Sequence, residues 1–196
     1  MAVQLVDARR TDTREQIIEA AITLFRRQGV SGTGIDEMCR RAGVTKGVFA
    51  HHFPGGKREL LEAAVERNGR DVRALLAKLA DRSDGTTADL VRTLFATYAR
   101  LFRTHGWAYG CPVAAAVVEA RADDEVVVGA AFASWRAALR EFDDRLGHGV
   151  DALVVAAFEG AILLARAERS PEVFTDIGES LAHLIESASP CQEHRS

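Results

Sequence analysis

An all-α fold of about nine helices is predicted from three features of the sequence. The composition favours helix, apolar residues recur at three- and four-residue spacing, and no segment shows convincing strand alternation. The chain has 196 residues with only four prolines, and apolar residues make up 47%, enough for a substantial core. The net charge of −3 is unevenly spread. Residues 1–70 hold 12 Lys/Arg against 9 Asp/Glu, whereas residues 71–196 hold 13 against 19. Such asymmetry points to a basic contact surface near the N-terminus, although solvated helix faces can produce a difference of this size.

Residues 1–11 read as a mobile arm carrying Arg9 and Arg10. Asp12 or Thr13 then serves as an N-cap, and Ile17, Ala21, Leu24 and Phe25 form one apolar helix face that ends at Gly29. Thr33 is placed to cap a short helix with Ile35, Met38, Cys39 and Ala42 inward, closed by Gly43 in the left-handed conformation. Thr45 caps a second short helix, Lys46 to His52, with Phe49 and Phe53 turned inward. Two short helices joined by a tight glycine turn form a helix-turn-helix pattern.

Pro54-Gly55-Gly56 breaks the chain before a long helix that starts near Lys57. Its stripe of Leu60, Leu61, Ala64, Val65, Val72, Leu75, Leu76 and Leu79 runs about six turns, to a break at Asp84-Gly85. A helix spans roughly Thr87 to Thr104, Cys111-Pro112 opens another, and Asp123 or Asp124 caps one containing Phe132, Trp135, Leu139, Phe142 and Leu146. An almost wholly apolar helix, Asp151 to Ala167, follows the Gly147–Gly149 break, and Pro171 starts the last. The organisation is a three-helix head in residues 1–56, preceded by the arm, and a helical body in residues 57–196 that shares the long helix with the head.

The major groove of B-DNA admits an α-helix, and a reading helix needs small or polar exposed residues flanked by phosphate anchors. Thr45, Lys46, Gly47, Val48, Ala50 and His51 are the candidate reading face. Thr33, Gly34 and Lys57 are the candidate phosphate anchors at helix amino ends. The plainer alternatives are that both threonines are only caps and that His51 is only a surface residue. Gly-Gly-Lys at 55–57 does not complete a P-loop, because His51 and Arg58 stand where a glycine and a Ser/Thr are needed.

The stretch from Thr13 to Leu61 resembles the DNA-binding head of the TetR family of bacterial repressors. The matching residues are Ile17…Ala21…Leu24-Phe25…Gly29, Thr33-Gly34-Ile35-Asp36, Ala42-Gly43-Val44-Thr45-Lys46-Gly47, and His51-His52-Phe53 followed by Lys57…Leu60-Leu61. One position departs: Ala50 stands where the family usually has a phosphate-contacting tyrosine. Binding is then weaker, differently spaced, or more dependent on Lys46, Lys57 and the arm. Gly110-Cys111-Pro112 and Glu159-Gly160…Leu163-Leu164-Ala165-Arg166-Ala167-Glu168 resemble the LmrA/YxaF-like branch, which implies a response to drug-like or flavonoid-like molecules.

In the body, Tyr98, Phe102, Trp107, Cys111, Ala114, Phe132 and Trp135 are the candidate ligand pocket, read against the alternative of ordinary core aromatics. Phe158, Ile162, Phe174, Ile177, Leu181 and Leu184 are the candidate interface of a homodimer joined through the last two helices. Glu159 marks either close helix approach there or a polar pocket group. The expected protein is a cytoplasmic regulator, most simply a repressor released from palindromic operator DNA by a small apolar or aromatic inducer. No metal, cofactor or membrane is expected: the three cysteines show no paired spacing, the N-terminus lacks a signal-like apolar run, and the most apolar stretch is too short to span a bilayer. No catalytic residue is expected, since no Ser/His/Asp order, metal cluster or phosphate loop is visible. The rival readings are a helical enzyme, which ligand turnover would reveal, and a protein-binding adaptor, which would not bind duplex DNA even at low salt.

Overall fold

Asp12 starts the first helix by accepting the Arg14 backbone N–H on its side chain at 3.2 Å, and in the computed structural model every regular element among the described residues is a helix. The structure describes residues 12–107, 109–119, 125–142 and 149–188. The predicted arm with Arg9 and Arg10, the Asp123/Asp124 cap, Leu146 and Cys191 lie outside these residues. Nine helices occur among them: α1 (Thr13–Gln28), α2 (Ile35–Ala42), α3 (Lys46–His52), α4 (Gly56–Ala80), α5 (Thr87–His105), α6 (Pro112–Glu119), α7 (Glu125–Phe142), α8 (Val150–Glu168) and α9 (Glu172–Ala188).

The head closes around a small core. Ile17, Ala21 and Phe25 of α1 meet Met38 and Cys39 of α2 and Phe49 of α3, with Phe53 just beyond it. Gly43 ends α2 at φ 69°, ψ 30°, a left-handed geometry that a side chain with Cβ adopts at a cost. The first two turns of α4 complete this core through Leu60, Ala63 and Ala64. Burying a side chain such as Phe53 or Leu60 contributes roughly 1.5–3 kcal/mol, and a three-helix head this small needs those contributions from α4.

Along α4 the expected apolar stripe holds at both ends but is interrupted in the middle by two buried residues, Asn68 and Gly69. Here α4 passes from the head core to a second cluster, where Val65 packs with Val113, Ala116, Ala131 and Trp135 of α6 and α7. A helix-interior glycine costs roughly 1 kcal/mol relative to alanine, yet the position of a Gly69 Cβ is clear, with its nearest neighbours at 3.9 and 4.0 Å.

The main body core joins α5, α8 and α9. Tyr98 stands edge-on to Phe158 with ring centroids 4.4 Å apart, and Phe102 lies 4.9 Å from Phe174. Asp151 ties the amino end of α8 to α7 by pairing with Arg136 at 2.7 Å and with Arg140. Burial opposes the Asp151 charge, but the two guanidiniums outweigh it and hold the carboxyl below its usual range. Helix α5 approaches α9 closely, where a Cβ on Gly178 would lie 2.7 Å from the Phe95 Cβ. Gly178→Ala should therefore destabilise the protein by about 1–3 kcal/mol, read as a lowered midpoint in thermal melts. An unchanged midpoint would show that α5 and α9 separate freely.

Candidate nucleic-acid interface and ligand cavity

Helix α3 has one buried and one open side. Thr45 caps it by accepting the Val48 backbone N–H at 3.3 Å, and Phe49 anchors it in the head core. Thr45, Lys46, Gly47, Val48, Ala50 and His51 are all exposed. Small residues and a threonine next to a single cation suit close approach to base edges. His52 is half-buried, and Lys57 stands half-buried one residue inside α4, whose preceding Gly55 donates its N–H to Glu59 at 2.8 Å.

One of the expected anchors is corrected by the geometry. Thr33 does not cap α2: it is 1% exposed, its hydroxyl donates to the Gly29 carbonyl at 2.7 Å, and its N–H goes to Val30. Both polar groups are spent inside the α1–α2 turn, so no Thr33 donor points outward. Gly34 is the N-cap residue instead, without a side-chain bond. The amino end of α2 also carries Asp36 and Glu37, and Asp36 pairs with Lys46 at 2.7 Å across the exposed surface. That pair raises the Lys46 pKa through the Asp36 hydrogen bond. Its ten-residue separation bridges two helices, which no single-helix periodicity reveals.

The expected pocket is corrected as well. Tyr98, Cys111 and Trp135 do surround a common space, together with Phe158 and Ile162, but it holds only about 10 Å³, room for one water. Phe102 is packed into the core against Phe174, Trp107 lies 6.4 Å from Phe102, Phe132 stacks edge-on to Trp135, and the Ala114 N–H donates to the Cys111 sulfur. These aromatics fill one another's space. Glu159 resolves to the inward alternative: its Oε1 is buried with no hydrogen-bond partner among the described residues, and it lies beside Cys111. Burial pushes the Glu159 carboxyl up to about 7 and the Cys111 thiol above its ordinary value.

Arg26 of α1 also reaches this space. It donates to the Asn68 Oδ1 at 2.9 Å and to the Tyr109 hydroxyl at 3.2 Å, with its guanidinium 4.7 Å from the Tyr109 ring centroid. Gly110 packs on the Arg26 carbonyl so closely that a Cβ would lie 2.6 Å from that oxygen. An arginine in the last turn of an amphipathic helix reads as a surface charge, so this head-to-body clamp left no sequence signal.

A larger concavity lies elsewhere. A cleft of about 560 Å³ runs between α4 and α7, with an apolar floor of Ala63, Val65, Gly69, Ala130 and Ala131. Arg14, Arg70 and Arg73 and three glutamates of α4 form its rim, and none of the expected pocket residues lines it.

The expected dimer face is corrected in four of its six residues. Phe158, Ile162, Phe174 and Leu181 are buried within the chain's own core. Helix α8 is apolar nearly all round because one side packs inward and the opposite side stays bare. Leu153 is 49%, Leu163 65% and Leu164 45% exposed on α8, with Leu184 59% exposed on α9. Leu153, Ala157, Ile177 and Leu184 border an open groove of about 320 Å³.

Two family models match the chain. "Bacterial regulatory proteins, tetR family" matches residues 17–64, and "Transcriptional regulator LmrA/YxaF-like, C-terminal domain" matches residues 87–180. An uncharacterized HTH-type transcriptional regulator of Mycobacterium tuberculosis is 29% identical, covering 90% of this chain and 96% of its own length. The HTH-type transcriptional regulator LmrA of Bacillus subtilis is 26% identical, covering 89% and 97%. The crystal structure of reduced Escherichia coli NemR superimposes with a TM-score of 0.75 at 23% identity, covering 87% of this chain and 95% of that one. This last likeness is one of fold.

The raised Glu159 pKa has a consequence for stability. The folded chain holds the Glu159 proton to about pH 7, whereas the unfolded chain releases it near 4.5, so stability falls as pH rises between those values. Glu159→Gln should leave the thermal midpoint nearly unchanged at pH 4 and raise it at pH 8, by up to roughly 3 kcal/mol in stability. Parallel shifts at both pH values would contradict this environment for the carboxyl.

Proposed function

Because the chain belongs to the TetR family of bacterial transcriptional regulators, in its LmrA/YxaF-like branch, we propose that it is a homodimeric repressor released from a palindromic operator by a small molecule. The observation that carries this reading is the open side of α3. Six neighbouring residues from Thr45 to His51 are exposed there, on a helix otherwise locked by Phe49 and the Thr45 cap. Rigid support under a small-residue, singly cationic surface is what direct readout of a major groove requires. Gly34 and Lys57 are the proposed phosphate contacts flanking it. With alanine at position 50, no hydroxyl is available to donate to a phosphate from that site, so Lys46 and Lys57 carry more of the electrostatic contact.

The bare leucines of α8 and α9 support a two-fold pairing in which the same face of each copy covers the other. The proposed interface is Leu153, Leu164, Ile177 and Leu184. Pairing would set two α3 helices against half-sites about 34–36 Å apart, one turn of DNA. A ligand lowers operator affinity only through its differential binding to the two states, and a 100-fold release needs about 2.7 kcal/mol.

A mobility-shift titration against the DNA flanking the chain's own gene tests the reading. Affinity should fall by orders of magnitude between about 50 and 200 mM salt. Lys46→Ala should weaken binding to all sequences alike and lower the salt slope by about one per half-site. Absence of duplex binding at low salt would favour a protein-binding adaptor instead. Asp36→Asn should act in the opposite direction, strengthening binding a few-fold, since the carboxylate competes with phosphate for Lys46. For the interface, Leu164→Glu with Leu184→Glu should yield folded monomers in sedimentation velocity, and a retained dimer would place the contact elsewhere.

A further inference from the structure

We propose that Glu159 is a proton-operated switch on the seam between head and body. Neutral, it rests beside Cys111; ionised, it takes the Arg26 guanidinium and the Trp135 indole N–H as its partners.

Three polar atoms without partners carry this inference. Among the described residues, the Arg26 Nε, the Trp135 Nε1 and the Glu159 Oε1 are buried and make no hydrogen bond. Arg26 and Trp135 both line the small inner space, as do Cys111 beside Glu159 and its α8 neighbours Phe158 and Ile162. Two of the three atoms are donors and one is an acceptor. Leaving such atoms buried and unpaired is costly, and a second arrangement in which they partner one another removes that cost.

Charge decides which arrangement holds. Arg26 is the one cation among the residues lining the space, and its partners, the Asn68 amide and the Tyr109 hydroxyl, are neutral. With Glu159 protonated, nothing opposes that set of contacts. Once the proton leaves to solvent, a carboxylate stands beside a space of about 10 Å³, which admits one water and cannot hydrate it. Side chains must then meet the charge. The Arg26 Nε is free to donate, and a charged pair is stronger than the bond to Tyr109 that it replaces. Burial pushes the Glu159 carboxyl up to about 7, so the two forms exchange around neutrality.

The other groups nearby do not serve as the partner. Burial pushes the Tyr98 phenol of α5 and the Cys111 thiol up, Tyr109 is a phenol already held by Arg26, and α4 and α7 bring only the uncharged Asn68 and Trp135 to the space. Arg166, further along α8, is exposed, with its guanidinium beside Gly110. His105 rests against Tyr109, ring centroids 5.4 Å apart.

Little room exists for intermediate positions. Gly110 sits so close to the Arg26 carbonyl that a Cβ would lie 2.6 Å from it, and close packing favours discrete settings over gradual ones. Exchange of Tyr109 for Glu159 reties the last turn of α1 from the turn ahead of α6 to α8, and so resets the head against the body.

The test uses the full chain with Trp107→Phe, which leaves Trp135 as the single tryptophan. Its emission should move to longer wavelength through one transition centred near pH 7, as the indole N–H gains a carboxylate. Glu159→Gln should abolish the transition; its persistence there would assign it to another group, such as His105, and overturn the proposal. Tyr109→Phe removes the hydroxyl that competes for Arg26, so the midpoint should fall by about half a pH unit, roughly threefold in proton affinity. Arg26→Gln should raise the midpoint by about one pH unit, roughly tenfold, whereas Arg166→Gln should leave it in place. Emission that stays flat with pH, or a midpoint indifferent to both Tyr109 and Arg26, overturns the proposal. No DNA enters these measurements, so they bear on the switch alone, and the mobility-shift titration bears on the regulator reading alone.

Discussion

Helix α4 has to serve two cores at once, and the remaining architecture depends on that double burial. Its first turns supply Leu60, Ala63 and Ala64 to the head, and its later turns supply Leu76 and Leu79 to the body. Between them Val65 packs on α6 and α7, and Asn68 meets Arg26. Any rotation or shift of α4 about its axis must therefore disturb both cores. Close-packed interiors do not deform continuously, so the helix has a few discrete positions instead of a range. A displacement of α4 on either flank would therefore reach the head that carries α3.

Much of the head was legible in the sequence because its signals are local. The Thr45 cap, the left-handed Gly43 and the inward Phe49 and Phe53 each follow from the demands of a single turn, and the open face of α3 follows from them. Thr33 was misread because a threonine before a helix suits two roles. The structure selects an internal bond to Gly29 over capping, which only the path of the preceding turn decides. The Lys46–Asp36 pair, the Arg26 clamp and the buried Asn68 depend on which helices become neighbours, and that information is not held in any one helix.

The body was legible in its elements and misread in its surfaces. An all-round apolar helix such as α8 does not reveal which side faces its own chain and which stays bare. The largest side chains, Phe158 and Phe174, went inward and left the smaller and mid-sized residues facing out. The same logic applies to the aromatics. The resemblance to ligand-responsive regulators made them candidates for a cavity, but rings that stack edge to face consume the volume they surround. The cleft went unnoticed because its floor is made of alanine, valine and glycine, residues that announce nothing by themselves.

Arg26 carries a consequence for how the molecule comes apart. Its guanidinium belongs to the head, yet its partners Asn68 and Tyr109 belong to α4 and the body, and its backbone carbonyl is roofed by Gly110. Lifting the head away would strand a partly buried cation and an amide together, so partial opening gains little solvent freedom for the contacts it forfeits. Head and body are thus bound into one cooperative melting unit rather than two that unravel in sequence. A fragment cut from the chain at the end of α3 would lack both the floor of its core and the mooring of its first helix.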